Sequence, residues 1–180
     1  MNITVFLGAR EGNEPVFREA AKEIGTWIAS EGHRLIYGGS EIGLMGVLAN
    51  AVMDGGGEVV GVEPQFFIDD GFLHEGITET IPTETMAERR LIMMAKGDAY
   101  IALPGGVGTL AEISEVIVMA TLNKHNKPCI LYNKNGYYDL LRALFDQMTE
   151  YDFMTEEARR KIIFADTLED IERAVNLHRL

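Results

Sequence analysis

Short unbroken apolar runs alternate along the chain with longer stretches in which apolar residues recur every three or four positions. The runs Asn2–Leu7, His33–Tyr37, Glu58–Val62, Ile77–Ile81, Asp98–Leu103 and Pro128–Tyr132 predict strands, and Ile162–Phe164 predicts a last edge strand. In Pro15–Ser30 the apolar residues Val16, Ala20, Ile24, Trp27 and Ile28 fall on one helical face, and Gly32 ends the stretch. The same period predicts helices over Ile42–Met53, Glu84–Lys96 (capped by Thr83 or Thr85), Val107–Asn123, Tyr137–Glu150, Thr155–Lys161 and Leu168–Leu177. Gln65–Gly76 has little periodicity and is expected to be a loop.

Strands that alternate with helices of this length predict a mostly parallel sheet with helices on both faces, a Rossmann-like α/β fold. The 180 residues suit one domain without linker or repeat. In such a sheet ligands bind beyond the carboxyl ends of the strands. The loops Gly8–Glu14, Gly38–Gly46, Pro64–Phe72 and Pro104–Thr109 are therefore the candidate site.

Composition narrows the function. Sixteen basic against 28 acidic residues give a net charge of −12, which leaves no basic footprint for nucleic acid or for a polybasic membrane anchor. Cys129 alone excludes an internal disulfide and a Cys-based zinc site, and the four histidines share no metal-ligand spacing. No apolar run reaches the roughly 18 residues of a membrane span, and no basic leader opens the chain. The expectation is an acidic cytoplasmic protein.

Pro104-Gly105-Gly106-Val107-Gly108-Thr109 follows an apolar strand and opens a helix. Glycines let backbone N–H groups approach a phosphate, and the helix start adds free donors and a partial positive charge. Gly106-x-Gly108-x-x-Ala111 also fits a dinucleotide fingerprint, but the next strand ends Leu131-Tyr132-Asn133, without the acid that holds a ribose. Gly38 and Gly43 have P-loop spacing, yet Leu44 and Met45 replace the lysine and hydroxyl residue, which disfavours an ATPase. This second glycine loop is read as a wall of the ligand cleft; the alternative is a turn that needs only positive φ angles. Glu112 and Glu115 share a face of the helix after Gly108, with Glu112 expected in its first turn. Arg89 and Arg90 are adjacent on another helix, so they point about 100° apart and cannot face one site together.

Tyr37-Gly38-Gly39, Gly43-Leu44-Met45-Gly46, Met86-x-Glu88-Arg89-Arg90 and Pro104-Gly105-Gly106-Val107-Gly108-Thr109-x-x-Glu112 occur in this order. With these motifs the chain resembles the LONELY GUY family of cytokinin riboside 5′-monophosphate phosphoribohydrolases, from about Ile3 to Phe153. Ala87 and Arg90 stand where that family usually has histidine and lysine. The resemblance implies a homodimer that hydrolyses the N-glycosidic bond of a nucleoside 5′-monophosphate, with no cofactor and no metal. It implies that Arg89 and Glu112 are the catalytic pair and that Gly105, Gly106, Gly108 and Thr109 hold the 5′-phosphate. Gly8, Gly39, Gly43, Met45, Gly46, Met86 and Arg90 are then expected to line the nucleotide cleft. Family members are often labelled lysine decarboxylase; no lysine here has a recognisable Schiff-base setting. The alternative is a non-catalytic nucleotide- or cofactor-binding carrier on the same fold.

Overall fold

The computed structural model describes residues 1–178. In chain order the elements are β1 (Asn2–Phe6), α1 (Pro15–Ser30), β2 (Arg34–Tyr37), α2 (Gly43–Asp54), β3 (Glu58–Pro64) and α3 (Gln65–Asp69). Then follow β4 (Glu79–Thr83), α4 (Met86–Lys96), β5 (Ala99–Ala102), α5 (Val107–Thr121) and β6 (Cys129–Tyr132). The chain continues through α6 (Asp139–Glu150), α7 (Glu156–Arg160), β7 (Ile162–Ala165) and α8 (Leu168–Asn176).

All seven strands pair in parallel in the order β4-β3-β2-β1-β5-β6-β7. The chain leaves the centre on one side through β2, β3 and β4, then returns to lay β5 on the other side of β1. The order reverses between β1 and β5, which opens a crevice at their carboxyl ends. Both faces of the sheet are covered, so the central strands read as near-continuous apolar runs, while edge strand β4, Glu79–Thr83, does not. On one face Ile3, Val5, Leu35 and Val59 pack with Ile24 and Ile28 of α1, Leu48 of α2 and Ile171 of α8. On the other, Phe6, Ile36, Val62 and Leu131 pack with Met93 of α4, Ile113 and Val116 of α5 and Phe145 of α6.

Several boundaries differ from those the pattern predicts. β3 does not end at Val62; it runs on to Pro64, whose neighbour in β4 is Thr83. Gly61 permits this because Gly39 crosses so closely that a Cβ at 61 would lie 2.8 Å from its Cα. The expected loop after Pro64 contains α3, whose one turn is clasped by Gln65 Nε2 donating to Asp69 Oδ1 at 2.9 Å. α4 begins at Met86, because Thr85 rather than Thr83 caps it by accepting from Glu88 N at 3.1 Å. α6 starts at Asp139, two residues late, since Asn135 and Gly136 take positive φ in a preceding 3-10 turn. Among the described residues no helix is long and apolar enough to cross a membrane.

Candidate active site

A cavity of about 700 Å³ sits over the crevice between β1 and β5. Its walls are the four predicted loops, Gly8–Asn13 after β1, Gly38 and Ser40 after β2, Phe67 and Phe72 after β3 and Pro104–Thr109 after β5, with Glu63 at the carboxyl end of β3 itself. Met86, Arg89 and Met93 of α4 and Glu112 of α5 close it. The volume lies within the range usual for small-molecule sites.

The loop after β5 is tightly pinned. Gly8 N donates to Pro104 O at 3.3 Å, the Tyr137 hydroxyl donates to Gly105 O, and the Tyr138 hydroxyl donates to Leu103 O at 2.6 Å. A Cβ on Gly105 would lie 2.2 Å from Thr109 Oγ1, so packing explains that glycine. Gly106 and Gly108 are different. Neither takes a positive φ, and a Cβ on either would meet nothing within 4 Å. Backbone conformation and packing place no demand for glycine at these two positions. They leave open space in front of the α5 amino terminus, where the first N–H groups of a helix lack partners.

Arg89 and Glu112 face each other across the cavity floor. Arg89 Nη1 lies 3.9 Å from Glu112 Oε1, and the two side chains are 9% and 10% exposed. Arg89 is fixed by the sheet itself: Nε donates to Val62 O at 3.0 Å and Nη2 to Gly38 O at 3.1 Å. The guanidinium thus caps the ends of β2 and β3, and its Nη1 edge, 3.9 Å from both Met86 Sδ and Glu112 Oε1, has no oxygen at hydrogen-bond distance among the described residues. Burial pushes the Glu112 carboxyl above its ordinary range, and Arg89 and then Arg90 pull it back.

Glu112 is not in the first turn of α5, as expected, but is its sixth residue. A macrodipole effect fades within the first turn, so it does not account for a carboxylate this deep. Of the other expected cleft residues, Gly8, Met45 and Met86 line the cavity, but Gly39, Gly43, Gly46 and Arg90 do not. Arg90 points away and pairs with Glu115, Nε to Oε2 at 2.8 Å. Gly39 and Gly43 have φ of +88° and +60° and let the loop fold against Glu63 and the Ala9 carbonyl; Gly46 packs on the Glu41 carbonyl. They shape the wall from behind.

The candidate loop Pro64–Phe72 brings Phe67 and Phe72 to the cavity, but the sequence reading missed Glu63 and Tyr137, which line it as well. Glu63 had a signal. It is a carboxylate directly after the apolar run Val59–Val62, at the carboxyl end of a strand, where such sheets bind ligands. Burial pushes its carboxyl up to about 7 against the pull of Arg89. Tyr137 had none, because its place beside Gly105 depends on how α6 packs.

Known proteins agree with the motifs. Residues 45–175 match the family described as possible lysine decarboxylase. The chain is similar to the cytokinin riboside 5′-monophosphate phosphoribohydrolase of Rhodococcoides fascians, 43% identical over 97% of this chain and 87% of that one. It is similar as well to the Arabidopsis thaliana cytokinin riboside 5′-monophosphate phosphoribohydrolase LOG1, 40% identical over 94% of this chain and 79% of that one. Among solved structures, the molybdenum cofactor binding protein of Rippkaea orientalis superposes with a TM-score of 0.77 at 23% identity, covering 99% and 97% of the two chains. The molybdenum cofactor carrier protein of Chlamydomonas reinhardtii gives 0.76 at 21%, again over 99% and 97%. At such identities the structural neighbours show the fold alone. The sequence relatives show more: the chain belongs to the family of cytokinin riboside 5′-monophosphate phosphoribohydrolases, the LONELY GUY family.

Proposed function

We propose that this protein hydrolyses the N-glycosidic bond of a nucleoside 5′-monophosphate, AMP or an N6-modified AMP, to the free base and ribose 5-phosphate. The observation that carries the reading is the pair of unexplained glycines, Gly106 and Gly108, opening space before α5 one and a half turns from a buried Arg–Glu pair. A 5′-phosphate seats in that space on the α5 amino terminus, with Thr109 beside it. The ribose then lies over Arg89 and Glu112. The apolar side of the cavity, with Ile42, Leu44, Phe67 and Phe72, takes the base.

In the reaction the C1′–N bond breaks and the base leaves with the bonding pair, which leaves positive charge on the ribose ring, as in O-glycoside cleavage. The Glu112 carboxylate stabilises that charge. It also accepts a proton from the water that forms the new C1′–O bond, a task its raised basicity suits, and that proton ends on the nitrogen of the departing base, so that water supplies OH to the ribose and H to the base. Arg89 keeps Glu112 ionised and supplies Nη1 to substrate oxygens. The phosphate is remote from the broken bond, so its binding energy serves positioning.

No lysine is among the described residues that line the cavity, so nothing there forms the Schiff base of a pyridoxal decarboxylase. A second copy of the chain is expected against α4 and α5, where Leu91, Val118 and Leu122 are more than half exposed. A cytoplasmic setting fits a nucleotide substrate. The test is incubation with AMP and with adenosine. Adenine is expected from AMP only; equal release from both would overturn the phosphate site.

A further inference from the structure

Among the charged side chains around the cavity, Glu63 is the buried one to which the proposed hydrolysis gives no task. It is 2% exposed at the carboxyl end of β3, yet it lines the cavity. Its Oε2 is buried without a hydrogen-bond partner. Leaving a polar atom buried and unpartnered costs free energy comparable to a lost hydrogen bond. The surrounding chain is nonetheless shaped to hold it. Gly39, at φ +88°, closes over the carboxyl so nearly that a Cβ there would lie 2.6 Å from Oε2. The Tyr37 hydroxyl, on the same face of the sheet, is also buried without a partner.

Charge balance does not account for Glu63. Arg89 attracts it, but the guanidinium already has Glu112 within 3.9 Å, and its Nε and Nη2 are spent on the Val62 and Gly38 carbonyls. A structural carboxylate would make those hydrogen bonds itself.

Its place relative to the phosphate loop is telling. The loop follows β5, and Glu63 ends β3, with β1 and β2 between them. Three strand spacings amount to roughly 14 Å. Arg89 and Glu112 lie between the two ends, because Arg89 caps β2 and β3 from α4 while Glu112 comes from α5 beside the loop. A nucleotide with its phosphate before α5 and its ribose over Arg89 and Glu112 extends its base toward β3. Phe67 and Phe72, edge to face at 6.0 Å, line the cavity there and flank a planar ring.

We infer that Glu63 is a specificity-determining residue: its carboxyl accepts a hydrogen bond from the exocyclic 6-amino group of the base, so the site selects 6-aminopurine nucleotides over purines without that donor. This rests on the nucleotide orientation proposed above. N6-alkylation leaves one N–H, so modified adenines keep the contact.

The experiment compares AMP with purine riboside 5′-monophosphate, which has hydrogen in place of the amino group. Both kcat/KM and Kd are measured for the wild type, Glu63→Gln and Glu63→Leu. A hydrogen bond to a carboxylate corresponds to a preference for AMP of about 10- to 100-fold in the wild type. Glu63→Leu is expected to bring that ratio within about threefold of one. Glu63→Gln, with a neutral acceptor, is expected to fall between. A merely structural Glu63 would lower both substrates alike and leave the ratio unchanged. A wild-type ratio near one, or an unchanged ratio in the folded variants, overturns the inference. If the wild type releases base from neither nucleotide, the hydrolase reading fails instead, and the Kd ratios still decide what Glu63 does.

Discussion

Arg89 Nη1 stands 3.9 Å from Glu112 Oε1, both side chains about nine-tenths buried, although the next residue, Arg90, faces another acid altogether. Successive helical residues point about 100° apart, so α4 can send only one of its two arginines into the cavity. The helix spends Arg90 on Glu115 at 2.8 Å, in a pair about a third exposed, and such pairs contribute little. Arg89→Ala should therefore reduce AMP hydrolysis to background in a folded protein, whereas Arg90→Ala should keep kcat within several-fold of the wild type. Steady-state turnover of the two variants checks this; the reverse result would move the catalytic role one residue along.

The same cavity predicts a pH effect on stability. The Glu63 carboxyl ionises near 4.5 in an unfolded chain and about 7 in the folded one, because burial outweighs the attraction of Arg89. Between those values the folded state holds the extra proton, so this residue makes stability fall as pH rises, and above about 7 its cost is constant. The full effect is about 3 kcal/mol. Glu63→Gln removes it. The variant's advantage over the wild type in urea denaturation should be larger at pH 8 than at pH 4, and an advantage independent of pH would contradict the assignment.

Much of this molecule is legible in its sequence, and the exceptions have a common cause. The span of α1 is legible to the residue, because its apolar stripe and the proline at its first position are local signals. The turn from β5 into α5 is legible because Pro104-Gly105-Gly106 after an apolar run marks where a strand gives way to a helix. The burial of Glu112 and the isolation of Glu63 are not. Both depend on how α4 lays Arg89 across the ends of β2 and β3, a contact between residues 27 and 51 positions apart. Periodicity reports which face of an element is buried; it is silent on what meets at the ends of neighbouring strands. The extension of β3 to Pro64 has the same origin, in the close crossing of Gly39 over Gly61.

The apolar face of α5 divides in a way that predicts assembly. Ile113, Val116 and Ile117 are buried within the chain, so the covering they need is already supplied. Val118 and Leu122 are 51% and 59% exposed, and Leu91 of α4 is 54% exposed. Sedimentation should give about twice the 20.0 kDa of one chain. Val118→Asp with Leu122→Asp should shift the protein to the monomer without unfolding it. A wild type that sediments as one chain at micromolar concentration would refute the dimer.

Glu112 gives the sharpest test, because its two readings differ in magnitude. It is the sixth residue of α5 and so is no helix-terminal charge, whose loss would cost about 0.3–1 kcal/mol of stability and leave chemistry alone. Beside the ribose, it would lower the barrier by several kcal/mol, on the order of a thousandfold or more in rate. Glu112→Gln keeps the size and an acceptor but removes the charge and the proton acceptor. The variant should fold, bind AMP through the loop before α5 with near-normal affinity, and release almost no adenine. In the wild type, burial holds the carboxyl above its ordinary 4.5, and it must be ionised to act. Turnover should accordingly fall as pH drops through a value above 4.5, and this limb should be missing from the residual activity of Glu112→Gln. Near-normal adenine release by the folded variant would remove the carboxylate from the mechanism and leave the site as one that binds nucleotides without cleaving them.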